Sequence, residues 1–222
     1  MPVRKPERSF ALRKGALAAS LIASFVAVHA SAQAATASGA FAVRGLGAQA
    51  CKDITAVAAS GKADDLVQLS GAWIAGYVSQ FNRINPNVYE AMPIVDNVVL
   101  GKLAINICRA NPDTLFEAVA SSLITSFSRG ALSEDSAIVE IKSDKSSSAF
   151  VRRAVFRLVQ HELIKEGFLP AGSADGDYGP ASRAALSKYQ EARGITMTGI
   201  PDPQTLIHLF AMGDKAQGSG KN

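Results

Sequence analysis

The 222-residue chain has few of the side chains that build metal centres and nucleophilic active sites. It contains two cysteines and three histidines, and none of them form a pair at the spacing of metal ligands. His161-Glu162 begins like a zinc-protease motif, but Lys165 occupies the position of the second histidine. The chain also lacks a G-x-S-x-G turn and a glycine-rich phosphate loop. The sequence therefore predicts a non-catalytic protein that uses no metal and no cofactor.

Carboxylate pairs do not change this interpretation. Asp64-Asp65 and Glu134-Asp135 are adjacent residues, which point in different directions on a helix and do not face each other as a glycosidase pair does. Both pairs are interpreted as negative charges at helix starts, where they are stabilising.

Long apolar runs are also scarce, and the longest one lies near the N-terminus. Residues 15–30, GALAASLIASFVAVHA, follow a basic start and precede the pattern Ala32-Gln33-Ala34. These features are typical of a cleaved secretory signal. The run is shorter than the ~20 residues of a membrane-spanning helix. We therefore expect residues 1–34 to be removed on export to the periplasm, leaving no stable membrane span. An uncleaved anchor is the alternative.

The excess of positive charge belongs to that N-terminal segment. The chain has 23 Lys and Arg against 19 Asp and Glu. Residues 1–34 contain five of the bases and one of the acids, so 18 of each remain. No whole-molecule positive field is left to attract nucleic acid, and no nucleic-acid partner is predicted.

The two cysteines, Cys51 and Cys108, are interpreted as one disulfide, since an even number in an exported chain favours pairing. A lipid anchor at Cys51 is disfavoured because this residue lies far beyond the apolar run and no lipobox precedes it. The chain-entropy model gives the disulfide a stabilisation of ~4 kcal/mol.

Helical periodicity predicts a small helical domain over residues 45–130. Helices are expected at residues 52–57, 66–81 and 95–108 and after residue 113, so the disulfide would join the first helix to the end of the third. Trp73 and Tyr77 are four residues apart and share a helix face. They are either core residues or an exposed surface for a protein partner.

Three features in residues 48–127 carry a family resemblance. One cysteine lies near the mature N-terminus, and the segments Trp73-Ile74-Ala75-Gly76-Tyr77 and Cys108-Arg109-Ala110-Asn111-Pro112 follow. Together they resemble the HdeA-like periplasmic acid-stress chaperones and, more loosely, small exported immunity proteins. The first resemblance implies a disulfide-closed helical bundle that dimerises at neutral pH and exposes apolar surface in acid.

Residues 131–149 are predicted to be a linker, because residues 143–148 have the polar composition of one. Residues 137–141 could form a short strand or the tail of a helix. At the C-terminus, residues 213–222 are predicted to be a disordered tail.

A short pattern occurs twice between residues 150 and 212. Residues 180–186 and 203–209 both read P-x-[ST]-x-x-x-L, each with a glycine and an acidic turn upstream. Proline suits the first turn of a helix. With a preceding helix that carries Val151, Val155 and Leu163, the two turn-then-helix units predict a three-helix module. Asp175-Gly176-Asp177 lacks the alternating oxygens and closing glutamate of an EF-hand calcium loop.

A dense series of positions within residues 150–211 carries a second resemblance. The positions are Val159-Gln160, Leu163, Gly167, Asp175-Gly176, Tyr178-Gly179-Pro180, Ser182, Ala185-Leu186, Tyr189-Gln190, Gly194, Thr198-Gly199 and Thr205-Leu206. In this order they resemble the peptidoglycan-binding domain found at the ends of many cell-wall hydrolases. The resemblance implies a non-catalytic three-helix domain with peptidoglycan as its partner.

A shallow groove with mixed charges and an aromatic edge would suit peptidoglycan. Arg183 or Arg193 could bind a stem-peptide carboxylate through two hydrogen bonds, and an aspartate could receive the free amine. The candidate ligand-binding residues are Asp175, Asp177, Tyr178, Arg183, Tyr189 and Arg193.

The sequence thus predicts an all-α protein, in which a disulfide-closed helical domain precedes a peptidoglycan-binding domain. The favoured function is wall binding, with the helical domain serving a protein partner or client. The alternatives are a wall-tethered acid-stress chaperone or toxin-immunity protein, and a component of cell-wall hydrolysis.

Overall fold

The computed structural model describes residues 40–143 and 147–212. The predicted signal at residues 1–34 and the predicted tail at residues 213–222 lie outside this part. Seven helices are present in the described ranges: α1 Cys51–Ala59, α2 Ala63–Ile84, α3 Asn97–Ala110, α4 Phe116–Ser126, α5 Arg153–Lys165, α6 Pro180–Ala192 and α7 Pro203–Leu206. Two strands, β1 Ile138–Lys142 and β2 Ser148–Arg152, form one small sheet. The predicted helical architecture is confirmed, and the sheet is an addition to it.

Shorter segments complete the chain. Gly45–Ala48 and Ser128–Gly130 are 3₁₀ turns, and a π-helical segment, Ile207–Met212, continues α7. None of the helices in the described residues is long and apolar enough to cross a membrane.

Helices α2 and α3 pack against each other more extensively than any other two elements of the N-terminal part. Asp64 and Asp65 lie in the first turn of α2, as predicted, where their negative charges interact favourably with the positive end of the helix dipole. Helix α3 begins two residues later than predicted because the Asp96 carboxylate caps it, accepting from the N–H groups of Val98 and Val99. Gly101 lets the two backbones approach closely, since a Cβ there would lie 2.2 Å from the Val67 carbonyl oxygen.

The predicted disulfide is confirmed. Cys51 at the start of α1 is bonded to Cys108 near the end of α3, with 4.7 Å between their Cα atoms. Both cysteines are fully buried. Helix α4 starts at Phe116, after a turn at residues 112–114. The carbonyl groups of Thr114 and Pro112 in this turn accept hydrogen bonds from the N–H groups of Cys51 and Lys52.

Trp73 and Tyr77 are half-buried on one face of α2, and their rings stack at a centroid distance of 5.4 Å. The indole N–H of Trp73 donates to the Arg44 carbonyl at 3.2 Å. The Tyr77 hydroxyl donates to the Glu117 carboxylate at 2.6 Å, and burial together with this bond raises the pKa of Tyr77. Both rings therefore have partners within the chain, and their use as a surface for another protein stays a prediction.

An antiparallel hairpin, formed by β1 and β2, overlaps the range 131–149 that was predicted as a linker and extends beyond it to Arg152. Ile138 pairs with Arg152 and Lys142 with Ser148, so residues 138–141 adopt the strand alternative. Side chains alternate between the two faces. Ile141 and Val151 are buried, whereas Ile138 and Phe150 are exposed. Val151, predicted to lie on a helix, is thus a strand residue, and α5 begins at Arg153.

The N-terminal helices and the C-terminal domain are packed together. Glu90, in the loop after α2, forms an ion pair with Arg152 at 3.6 Å. Arg129 forms a second ion pair with Glu162 of α5 at 2.6 Å. Gly130 lies against the Phe210 ring. The buried apolar side chains form one core cluster that extends through both parts.

Candidate ligand-binding face of the C-terminal domain

The turn between α5 and α6 is organised by a buried glutamine. The Gln160 side chain, only 1% exposed, accepts from the Gly176 N–H at 2.7 Å. Its amide nitrogen donates to the Asp175 carboxylate at 2.9 Å and to the Ser182 hydroxyl at 3.1 Å. Gly176 has a φ of 82°, which only glycine adopts readily. The turn is therefore held by a side chain from the preceding helix.

The turn between α6 and α7 repeats this arrangement. Gln190 is fully buried and accepts from the Gly199 N–H at 2.8 Å. Its amide nitrogen donates to the hydroxyls of Thr198 and Thr205 at 3.0 and 2.8 Å. Gly199 has a φ of 70°. The repeated pattern seen in the sequence is thus a repeated hydrogen-bond network.

The proline and hydroxyl residues of the repeat have separate roles. Pro180 and Pro203 are the first residues of α6 and α7. Ser182 and Thr205, two residues later, are buried and bind the glutamine amides. In the second unit the Asp202 carboxylate also caps α7 by accepting from the Thr205 N–H at 2.8 Å.

Tyr178 joins the two turns. Its hydroxyl donates to the Gly199 carbonyl at 2.8 Å, and its ring packs edge-on against Phe156 at a centroid distance of 5.9 Å. Arg183, in the first turn of α6, lies beside the same glycine, since a Cβ on Gly199 would be 3.1 Å from the Arg183 Cγ. Tyr178 and Arg183 therefore lie at the junction of the two turns.

Asp175 and Asp177 are exposed on the first turn. The Asp175 carboxylate accepts from the Asp177 N–H at 2.8 Å and from Gln160, and these two hydrogen bonds lower the pKa of Asp175. The Asp177 carboxylate forms an ion pair with Arg153 of α5 at 2.6 Å. Arg157, one turn further along α5, donates to the Asp175 carbonyl at 3.2 Å. This turn presents carboxylates and guanidinium groups to solvent together.

Tyr189 and Arg193 lie away from these residues. The two arginines 183 and 193 are ten residues apart along α6 and its end, or about 15 Å along the helix axis. Tyr189 is 1% exposed, and burial raises its pKa. The Arg193 guanidinium lies 5.2 Å from the Tyr189 ring centroid and forms an ion pair with Glu166.

The structure therefore divides the predicted set. Asp175, Asp177, Tyr178 and Arg183 lie at the two turns, which we name the turn face, whereas Tyr189 and Arg193 lie at the far end of α6. The sequence interpretation assigned no role to Gln160 and Gln190, although both were among the residues that carried the resemblance. The sequence did contain a signal for both glutamines. Each directly follows a large apolar or aromatic residue near the end of a predicted helix, Val159 or Tyr189, and a turn that contains glycine comes after that helix.

Comparison with known families identifies this part of the chain. Residues 152–209 match the model of the family described as "Putative peptidoglycan binding domain". The C-terminal part of the chain is a peptidoglycan-binding domain of this family. No curated protein and no solved structure matches the chain.

The match begins at Arg152, the last residue of β2, and includes both glutamine-centred turns. The turn face offers two carboxylates, a tyrosine and a guanidinium group, which can hydrogen-bond to the amides, hydroxyls and charged ends of peptidoglycan. In residues 40–143 and 147–212, no three His, Cys, Asp or Glu side chains are grouped so that they could hold a metal ion.

Proposed function

We propose that this protein is exported, binds peptidoglycan through the turn face of its C-terminal domain and performs no catalysis of its own. The family match at residues 152–209 carries the proposal, because the matched family is described by what it binds. The turn face supports it with side chains suited to a polar, charged polymer. We assign the binding role to Asp175, Asp177, Tyr178 and Arg183.

Export to the periplasm is part of the same proposal. It is supported by the signal-like features of residues 1–34 and by the disulfide between Cys51 and Cys108, a bond that persists in oxidising compartments. Peptidoglycan is present in the periplasm, so the proposed ligand is found in the proposed location.

The N-terminal helical domain is proposed to serve a protein partner or client while the C-terminal domain holds the wall. The ion pairs between Glu90 and Arg152 and between Arg129 and Glu162 fix it against the wall-binding domain. A client-binding role of the acid-stress kind requires apolar surface to become exposed at low pH. Binding of an apolar fluorescent dye between pH 7 and pH 3 tests this role, and an unchanged signal would contradict it.

Sedimentation with purified sacculi tests wall binding. The mature chain is used whole, because a fragment starting near residue 145 would lose β1 and Arg129, which support β2 and α5. We expect the wild-type protein to sediment and the double variant Asp177→Asn/Arg183→Gln to remain in solution while keeping its circular dichroism spectrum. Lys188→Gln, which removes an exposed charge elsewhere on α6, is the matched control. A wild-type chain that stays in the supernatant would contradict the proposal.

A further inference from the structure

A pocket of about 320 Å³ lies next to the turn face, between α5 and the segment that precedes the hairpin. Residues 132–136 form one wall, and Arg153, Ala154 and Arg157 form the other. Arg153 and Arg157 also contact the first turn, through the Asp177 carboxylate and the Asp175 carbonyl. The pocket is therefore continuous with the turn face, although one of its walls precedes the residues matched by the family model.

The wall formed by residues 132–136 is attached at both ends. At one end the Leu132 N–H donates to the Glu90 carbonyl at 2.8 Å. At the other end the Ser136 hydroxyl accepts from the Ala154 N–H at 2.9 Å, and the Ser136 carbonyl accepts from Arg152 at 2.7 Å. The pocket is thus preformed, and a ligand would not have to order this segment on binding.

The pocket carries charges of both signs. Glu134 and Asp135, which the sequence interpretation placed at a helix start, lie instead in this non-helical segment, so that prediction was wrong. Asp135 is within 3.5 Å of Arg152 and accepts a hydrogen bond from the Tyr89 hydroxyl. Glu134 is exposed and forms no hydrogen bond or ion pair with the described residues, which leaves its carboxylate available to a ligand.

The two arginines differ in the charge of their partners. Arg153 is engaged by the Asp177 carboxylate at 2.6 Å. Arg157 is exposed and donates to the neutral carbonyl of Asp175, and it forms no ion pair with any residue that the structure describes, so most of its five N–H donors are unused. Among the described residues that line it, the pocket therefore presents a carboxylate outside any ion pair, on Glu134, and a guanidinium outside any ion pair, on Arg157.

We propose that this pocket binds the stem peptide of peptidoglycan, with a free peptide carboxylate at Arg157 and a free side-chain amine at Glu134. The proposal rests on the proposed wall-binding function and specifies which element of the wall is recognised. Peptidoglycan carries both charged groups on its stem peptides, whereas glycan strands without peptide carry neither amine nor peptide carboxylate. The helical domain contributes to recognition by supplying the segment that bears Glu134.

Titration of the whole mature chain with a soluble stem peptide tests the pocket. The probe is used in two forms, one with a free side-chain amine and one with that amine acetylated. We expect Glu134→Gln and Arg157→Gln each to weaken binding of the free-amine peptide about tenfold, the loss typical of one charge-assisted hydrogen bond. Acetylation should weaken binding to the wild type by a similar factor and should have no effect on Glu134→Gln. Glu191→Gln and Lys188→Gln are the charge-matched controls on α6.

The outcomes separate this inference from the proposed function. A wild-type chain that sediments with sacculi but binds both peptide forms equally, or sediments equally with peptide-free glycan strands, would overturn the pocket and leave wall binding intact. A wild-type chain that does not sediment at all would overturn both. Arg157→Lys keeps the positive charge, so it should bind better than Arg157→Gln; equal losses with a lowered thermal midpoint would assign Arg157 to folding and contradict the inference.

Discussion

The side chains of Gln160 and Gln190 make equivalent hydrogen bonds in two successive turns of the C-terminal domain. Each oxygen accepts from the N–H of a glycine with positive φ, at 2.7 and 2.8 Å. Each nitrogen donates to a hydroxyl two residues after a helix-starting proline, on Ser182 or Thr205. A buried amide with all these partners satisfied specifies one geometry, because any rearrangement would leave a buried polar group unpaired. The turn face is therefore shaped by two residues that lie beneath it.

Replacing either glutamine by leucine should destabilise the protein substantially. The change leaves a buried glycine N–H and a buried hydroxyl without their partner, so we expect the free energy of unfolding to fall by about 3 kcal/mol for each variant. Urea unfolding followed by circular dichroism measures this difference. Gln204→Leu is the control, because Gln204 is exposed on α7 and should change stability by less than about 0.5 kcal/mol. Equal losses in all three variants would argue against the buried networks.

The sequence contained enough information for the helices, the disulfide and the C-terminal domain, but not for the hairpin. Helices follow from apolar residues at three- and four-residue spacing, and both α2 and α3 were predicted in this way, whereas α6 was predicted from its starting proline. The strand Ile138–Lys142 has five residues and derives its stability from pairing with β2 and from the burial of Ile141. Those are contacts between distant residues, which local periodicity does not reveal.

The candidate site was predictable to the same limited extent. Asp175, Asp177, Tyr178 and Arg183 are close in sequence, so a local motif was sufficient to group them. Tyr189 is buried on α6, because its spacing from Leu186 and Ala185 places it on the core side of the helix. A residue type suited to a ligand does not indicate which face of the helix carries it.

Removal of the disulfide should destabilise the N-terminal domain. Cys51 and Cys108 are separated by 57 positions, so the chain-entropy model predicts that Cys51→Ser/Cys108→Ser loses about 4 kcal/mol. Chemical denaturation of the double variant, and of the wild type with and without reductant, measures this loss. The reduced wild type should match the double variant. A reductant-insensitive wild type would contradict the assignment of this stabilisation to the bond.

The stability contributed by Asp175 should depend on acid pH. Hydrogen bonds from the Asp177 N–H and Gln160 hold the pKa of Asp175 below its ordinary value in the folded chain. A lowered folded pKa gives stability that is present above the unfolded pKa of about 3.9 and is lost as the pH falls through the folded pKa. Asp175→Asn should therefore have a lower thermal midpoint than the wild type at pH 7.

The difference in thermal midpoint between Asp175→Asn and the wild type should shrink when the pH falls below about 4. Thermal unfolding at intervals from pH 7 to pH 2.5 measures it. Asp135, whose pKa is lowered mainly by the Tyr89 hydroxyl, contributes in the same direction, so the Asp175 variant should retain part of the acid dependence. A midpoint difference that stays constant over the whole range would contradict the linkage of Asp175 to stability.

The ion pair between Arg129 and Glu162 should couple the two domains energetically. Its N···O distance is 2.6 Å, and the two side chains are only 27% and 21% exposed, so solvent screens the pair less than it screens a surface pair. A double-mutant cycle with Arg129→Gln and Glu162→Gln should give a coupling free energy of about 1 kcal/mol. The exposed pair of Lys52 and Asp113, at 3.4 Å and with side chains 62% and 86% exposed, is the control and should give a value near zero. Equal coupling in the two cycles would mean that the Arg129–Glu162 contact has no more effect than a surface ion pair, and it would contradict the predicted coupling of the two domains.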